Sequence, residues 1–245
     1  MPKQSGLGDA LYLDFYDLSG DVGAIDTISG GPVALGVTAI NKSAQERLGG
    51  LRDGGMEFTS FFNDATDQEH LALRGLPTTD RVVSYFRGTA LGGQAASVVA
   101  KQINYDGTRG EDGSLTFKVQ ALANGFGLEW GRSLTAGKRT DSTATNGASV
   151  DHTDVSTAFG WQAFLHVFAF TGTSVTVTLQ DSADDAAFAN LTGGAFTAAT
   201  GQTSQRLEGG RTATVRRYLR AITTGTFSNA VFSVVFVRNL TAVAF

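Results

Sequence analysis

His70, His152 and His166 are the only imidazoles in the chain, so a histidine metal centre or a histidine general base would have to use them. Histidine metal sites usually show close pairs on one element. Here the three fall on a helical segment, in a polar connecting stretch and on a strand, and they read as unrelated structural or surface residues. Ser and Thr are plentiful, but no G-x-S-x-G elbow presents a nucleophile. No Walker lysine is present, and Gly6-Leu7-Gly8 lacks the context of a dinucleotide fingerprint. With no cysteine there is no disulfide, thiolate ligand or Cys nucleophile. Asp181, Asp184 and Asp185 cluster at a strand end; calcium takes several oxygen ligands, but the EF-hand spacing is missing, and a polar hairpin turn accounts for the cluster. Arg206, Arg211, Arg216, Arg217 and Arg220 concentrate positive charge. They could form a sugar or phosphate surface, an inter-subunit salt bridge or a solvated face, and the last two together are the reading adopted. Trp161, Phe164, Phe168, Phe170, Phe227, Phe232 and Phe236 could make a carbohydrate platform, but aromatics at strand spacing are read as core. No catalytic, cofactor-binding or metal-ligating residue is assigned, and no enzyme is expected.

The elements that carry these residues are mostly strands. Leu11, Leu13 and Phe15 alternate with Tyr12, Asp14 and Tyr16, which gives one apolar and one polar face. Leu35–Ile40, Gly55–Phe62, Arg81–Phe86, Ala95–Ile103 and Ser114–Gln120 follow as strands. In the last of these Leu115, Phe117 and Val119 point in and Thr116, Lys118 and Gln120 point out. Lys42–Leu48 reads as a short helix or turn stopped by Gly49-Gly50. Thr66-Asp67-Gln68-Glu69 fits a capping box, and it predicts a helix of about ten residues ending at Gly75 and Pro77. From Leu134 to Asp154 the chain is rich in Thr, Ser, Gly, Asn and Asp, as in a linker or long loop. Beyond it, strands are expected at 161–170, 174–181, 187–191, 205–207, 213–223 and 230–238, with Thr171-Gly172-Thr173 a tight connection between the first two. The fold class is all-β with a short flanking helix: an N-terminal β-barrel or sandwich over 1–145, a linker over 146–155 and a C-terminal β-sandwich over 156–245.

Charge separates the halves. Residues 1–150 hold 13 Lys/Arg against 17 Asp/Glu, and residues 151–245 hold 6 of each, so the net −4 lies in the first half. A mildly acidic chain lacks the basic footprint of a nucleic-acid binder, though nucleic acid could pass it without being held. The N-terminus has no apolar signal core, and no apolar stretch reaches the length of a spanning helix.

Several blocks carry a resemblance. TAINKSAQERL at 38–48, GGMEFTSFFND at 54–64 and DGSLTFKVQALANG at 112–125 resemble the major tail (tail tube) proteins of long-tailed, siphovirus-type bacteriophages, closest to those infecting actinobacteria. VAKQINYDGTRGEDGSLTF and LEWGRSLTAGKRTDSTATNG strengthen it. Residues 5–150 carry the likeness, and the C-terminal half is similar to the extra domain such proteins often bear.

The resemblance implies six copies joining their inner sheets into a ring, rings stacked into a hollow tube, and DNA leaving the capsid through the lumen without specific binding. It implies partners too: the chain itself, a tape measure protein, a tail terminator and tail tip or baseplate proteins. The helix at 66–76 would be the flanking helix. One of the stretches 41–55 and 104–113, or the N-terminal segment, would reach the next ring, and the C-terminal domain would sit outside the tube. The location implied is the virion tail, made in the host cytoplasm. Other readings are a distal-tail or baseplate protein of the same fold, and a carbohydrate-binding or adhesion module built on the C-terminal sandwich. The last can coexist with the first, an outer domain touching host-surface glycan weakly.

Overall fold

The computed structural model describes residues 5–153 and 155–243. The strands in order are β1 (Ala10–Leu13), β2 (Tyr16–Asp17), β3 (Val22–Gly36) and β4 (Arg47–Phe61). After a single helix, α1 (Glu69–Leu73), come β5 (Arg81–Phe86), β6 (Gln94–Gln102), β7 (Asp106–Arg109), β8 (Leu115–Ala123) and β9 (Glu129–Ser133). Two short strands, β10 (Arg139–Asp141) and β11 (Val150–Asp151), precede β12 (Trp161–Ser182), β13 (Ala189–Ala195), β14 (Thr203–Glu208) and β15 (Tyr218–Arg238). Among the described residues the fold is all-β with one short helix, and its strands form a continuous network in the order β13-β12-β15-β9-β6-β5-β1-β2, with β8, β4, β3 and β7 branching from β6.

In the N-terminal half, two sheets face each other. Leu11 and Leu13 of β1, Val83 and Tyr85 of β5, and Ala96, Val98 and Ala100 of β6 meet Met56 and Phe58 of β4 and Val119 and Ala121 of β8. Leu73 of α1 closes this core and is fully buried. The opposite face of β1, β5 and β6 is buried as well: Tyr12, Val82, Phe86 and Val99 pack on Phe164, Phe168, Val235 and Val237 of β12 and β15. A strand covered on both faces has no polar face to show, which is why β5 reads Val-Val-Ser-Tyr-Phe without strict alternation.

The C-terminal half is built on two very long strands. β12 and β15 pair antiparallel along their whole length, from Trp161↔Arg238 to Ser182↔Tyr218. A 22-residue strand spans roughly 70 Å if straight. Yet Trp161, Leu165 and Val167 share one core with Val177 and Leu179, so the ribbon folds back on itself. It bends at register shifts between Val167 and Ala169 and on both sides of Gly172. Gly172 adopts φ 153°, and a Cβ there would lie 2.4 Å from Phe227 Cα. Thr171-Gly172-Thr173, expected as a tight connection between two strands, is therefore a bulge within one strand; likewise the strands expected at 213–223 and 230–238 join into β15.

Three further expectations change. Of the helix or turn read at Lys42–Leu48 the turn is the one that forms, with Lys42 paired to Glu46 at 3.2 Å in the β3–β4 hairpin, but Gly49-Gly50 lies within β4 and stops nothing. The helix at 66–76 shrinks to five residues, and the Thr66–Glu69 capping box does not form, because the N-cap is Gln68, with no side-chain cap. Glu69 turns inward instead. The polar stretch from Leu134 to Asp154 is packed rather than free: β10 and β11 pair with β15, and Leu134 and Val150 enter the C-terminal core. Residues 1–4, part of the N-terminal segment considered for inter-ring contact, and Asp154, within 146–155, lie outside the described residues.

Candidate assembly surfaces

No group of three or more His, Asp or Glu side chains among the described residues is placed to hold a metal ion. The residues suspected of chemistry are spent on structure. Asp181 accepts from Arg216 Nε (2.8 Å), Nη2 (2.6 Å) and the Arg216 amide (2.8 Å). Asp184 accepts from the amides of Ala187 and Ala186 and from Ser182, which hold its carboxyl down at about 2, so this cluster is a hairpin turn. Arg217 makes a paired contact to Asp151, Nε at 2.7 Å and Nη2 at 2.8 Å. Arg206 pairs with Glu208 and stacks 3.7 Å over Phe126, and Arg220 stacks 4.0 Å over Phe188. These arginines close contacts within the chain instead of forming an open cationic face. Trp161, Phe164, Phe232 and Phe236 are fully buried, so they are core and no platform.

The histidines also have structural partners. His70 Nδ1 donates to Tyr105 Oη (3.0 Å), which donates to Glu69 Oε2 (3.0 Å). Ser60 Oγ donates to Glu69 Oε1 at 2.7 Å, and burial raises the Glu69 carboxyl above its usual range. His166 joins the halves. Its Nδ1 lies 2.5 Å from Asp14 O, and a carbonyl only accepts, so Nδ1 carries the proton and Nε2 accepts from Ser84 Oγ at 2.8 Å. Asp14 adds Arg81 Nη1 (2.8 Å), the Val82 amide (3.1 Å) and Ser204 Oγ (2.8 Å). Lys138 reaches Asp17 at 2.5 Å across the same seam. The sequence places Asp14 on the polar face of an alternating strand; β1 in fact ends at Leu13, and only the fold brings β5 and β14 to Asp14.

What remains unpartnered is surface. The sheet β3-β4-β8-β7 packs one face on the N-terminal core. Its other face carries Asp26, Glu57, Thr59, Lys118 and Gln120. These side chains bond to each other across the strands: Thr59 Oγ1 to Asp26 Oδ2 at 2.9 Å, Gln120 Nε2 to Glu57 Oε1 at 2.6 Å. Among the described strands, β3 pairs only with β4 and β7 only with β8, so each presents an open edge. Beyond Gly30 and Gly54, where Leu128 packs against the backbone and at Gly54 leaves no room for a Cβ, the β3–β4 hairpin leaves the core. It runs for roughly 20 Å. Val33, Leu35, Val37, Ile40, Leu48 and Leu51 lie exposed along it, Ile40 and Leu51 at 107% and 86%. Exposed apolar side chains gathered on one hairpin are candidates for cover by another molecule. Among the described residues no helix is long and apolar enough to cross a membrane.

No family model matches the chain, and no curated protein matches it. Among solved structures, a chain of the virion of a native gene transfer agent particle is 17% identical, with a TM-score of 0.43, over 52% of this chain and 98% of that one. The SPP1 Dit (gp 19.1) protein, described as a hub of the adsorption apparatus in phages infecting Gram-positive hosts, is 12% identical at a TM-score of 0.34, over 94% and 99%. A chain of the phage p2 baseplate in its activated conformation with Sr is 8% identical at a TM-score of 0.34, over 96% and 99%. At these identities and scores the likenesses transfer no role.

Proposed function

We propose that the chain is a structural subunit of a phage tail, and specifically the tail tube subunit. It stacks as hexameric rings into the conduit through which DNA leaves the capsid. The observation that carries this reading is the sheet β3-β4-β8-β7: both edges open, one face polar, and an apolar hairpin projecting from it. Open edges are templates for pairing with another chain, and a ring of copies removes them all. The polar face with Asp26 and Glu57 then lines the lumen and repels phosphate. The β3–β4 arm seats on the neighbouring ring, which gives its exposed Ile40 and Leu51 a partner. The 41–55 stretch named from the sequence falls on this arm. The C-terminal half, bonded to β1 and β5 through His166 and Asp14, stands outside the tube. Assembly partners are other copies, a tape measure protein, a terminator and tail tip proteins. The resemblance of residues 5–150 to tail tube proteins points the same way. The test is negative-stain electron microscopy of the purified chain, with tail tip complex and tape measure added if it stays monomeric. Hollow tubes with six-fold symmetry are expected. Single rings that never stack, present in a few copies per virion, move the assignment to a distal-tail part. Persistent monomers under all these conditions reject both.

A further inference from the structure

Where β6, β9 and β15 meet, Gln94, Trp130, Arg132, His152, Arg238 and Leu240 line a cavity of about 220 Å³. Two of these residues are out of place for a mere seam. Trp130 is 50% exposed, whereas the other tryptophan, Trp161, is fully buried; Leu240 beside it is 56% exposed. At the cavity wall His152 is only 8% exposed, its ring edge-on to Phe236 at 6.1 Å. Its Nε2 is buried without a hydrogen-bond partner. A buried polar atom left in this state costs stability, and a water or a ligand group at the cavity wall would relieve it.

The charge around the cavity is one-sided among the described groups. Asp151, next in sequence, is engaged by Arg217 through both carboxylate oxygens and is not among the lining residues. Arg132, half-buried, lines the cavity, and its Nη1 donates to Asp151 O at 2.9 Å. Burial first, then the Arg238 and Arg132 charges, lower His152 to about 3, so its imidazole is neutral at working pH. A neutral imidazole nitrogen can bond a hydroxyl in either sense. The wall therefore offers an anion-binding fork, a hydroxyl partner, an amide and an indole face.

We propose that this cavity binds a carboxylate-bearing sugar residue, its ring against Trp130, its carboxylate on Arg132 and a hydroxyl on His152 Nε2. A pyranose presents polarised C–H groups to the electron-rich indole face, and its hydroxyls fill the Gln94 and His152 positions. An acidic side chain from another copy would use Arg132 alone and leave the other two unfilled. Arginine is suited to this work because its planar fork takes a carboxylate through two bonds. The inference is independent of the tube reading, since binding is measured on the unassembled subunit.

The probes are sodium glucuronate, glucose and sodium acetate, titrated against the intact chain by calorimetry and by tryptophan fluorescence, where Trp130 is the exposed reporter. Glucuronate is expected to bind saturably and at least about tenfold more tightly than either other probe. It should also move the ring proton resonances of His152 and leave those of His70 in place, a readout that needs no substitution. Trp130→Ala should abolish the binding, and Arg132→Gln should weaken glucuronate by about tenfold or more toward the glucose value. Both variants must keep the thermal midpoint of the parent. The proposal is overturned if glucuronate shows no saturable binding, or if either correctly folded variant binds as the parent does. Acetate binding as tightly as glucuronate overturns it as well, and that result would mark a plain carboxylate site suited to another copy.

Discussion

A single imidazole shows how much one buried residue decides. His166 is completely buried, with Asp14 O on one nitrogen and Ser84 Oγ on the other. Ser84 in turn touches Ser97 Oγ at 2.7 Å, so the chain of bonds runs from β12 through β5 to β6. His166→Ala removes both bonds, leaves a buried carbonyl unpaired and opens a cavity; the expected loss is ~2–4 kcal/mol in urea denaturation. Its titration sets a pH dependence too. Burial lowers the folded pKa to about 4, against an ordinary value near 6.5. Between these values the unfolded chain binds the proton and the folded chain does not, so stability falls as pH drops through that window. His166→Gln should flatten the slope between pH 6.5 and 4, measured as the midpoint of unfolding at several pH values. A slope equal to the parent's would mean that His166 is already charged in the fold. His152, lowered to about 3, acts in the same direction and leaves a residual slope in the variant.

At the scale of elements, the helix α1 shows where local rules give way to tertiary ones. The Thr66–Glu69 spacing satisfies a capping box, but Glu69 is drawn into the core by Ser60 and Tyr105, and the amide it would have left free is capped from afar by Asp21 Oδ2 at 3.1 Å. The same Asp21 accepts from Asn63 Nδ2 at 2.8 Å. Asp21→Ala is thus expected to cost about 1–2 kcal/mol by denaturant midpoint, and Thr66→Ala almost nothing. The reverse order would restore the local cap. Periodicity located Arg81–Phe86 at its true ends and placed β6 and β8 within a few residues, because alternation or a solid apolar run survives any context. It could not tell that Trp161–Ser182 is one strand. Thr171-Gly172-Thr173 carries turn residues, and a bulge needs the same backbone freedom as a turn. Nor could it show that the polar stretch 134–154 packs on β15. Arg139 Nη1 binds Ala221 O, and Thr145 and Thr223 exchange backbone bonds, so the contacts there are long-range and polar. The histidine contacts were not legible: no motif joins His, Asp and Ser in the sequence, and only the fold brings Asp14 O and Ser84 Oγ to His166. Trp130 and Arg132 gave no signal, since their cavity exists only where three distant strands converge.

For the whole molecule the exposed arm separates folding from assembly. Ile40 and Leu51 touch little in the isolated subunit, so Ile40→Asp and Leu51→Asp should change its stability by no more than ~0.5 kcal/mol. On the proposed tube reading the same side chains are covered by the neighbouring ring, and a carboxylate buried there without a partner would be strongly unfavourable. The double variant is expected to remain folded by circular dichroism and to form no tubes under conditions where the parent does. Tubes of normal length from the variant would show that the arm does not carry ring stacking.

The polar face of β3-β4-β8 makes a separate demand on the same assembly. If copies close through the open edges of β3 and β7, this face curves inward, and Asp26 and Glu57 with the single Lys118 give it net negative charge. The hydrogen bonds from Thr59 and Gln120 hold both carboxylates flat on the sheet, away from the subunit core. Reversing them with Asp26→Lys and Glu57→Lys therefore should leave folding intact and alter only the field in the lumen. Parent tubes are expected to leave duplex DNA in the supernatant when pelleted at low salt. Variant tubes should carry DNA down and release it as salt rises, because each phosphate contact releases counterions and weakens steeply with ionic strength. The arm variants disable stacking without touching this face, so the two experiments divide the tube reading into its inter-ring and luminal parts. DNA that stays in solution with correctly assembled variant tubes would place the β3-β4-β8 face away from the lumen, whatever the state of the arm.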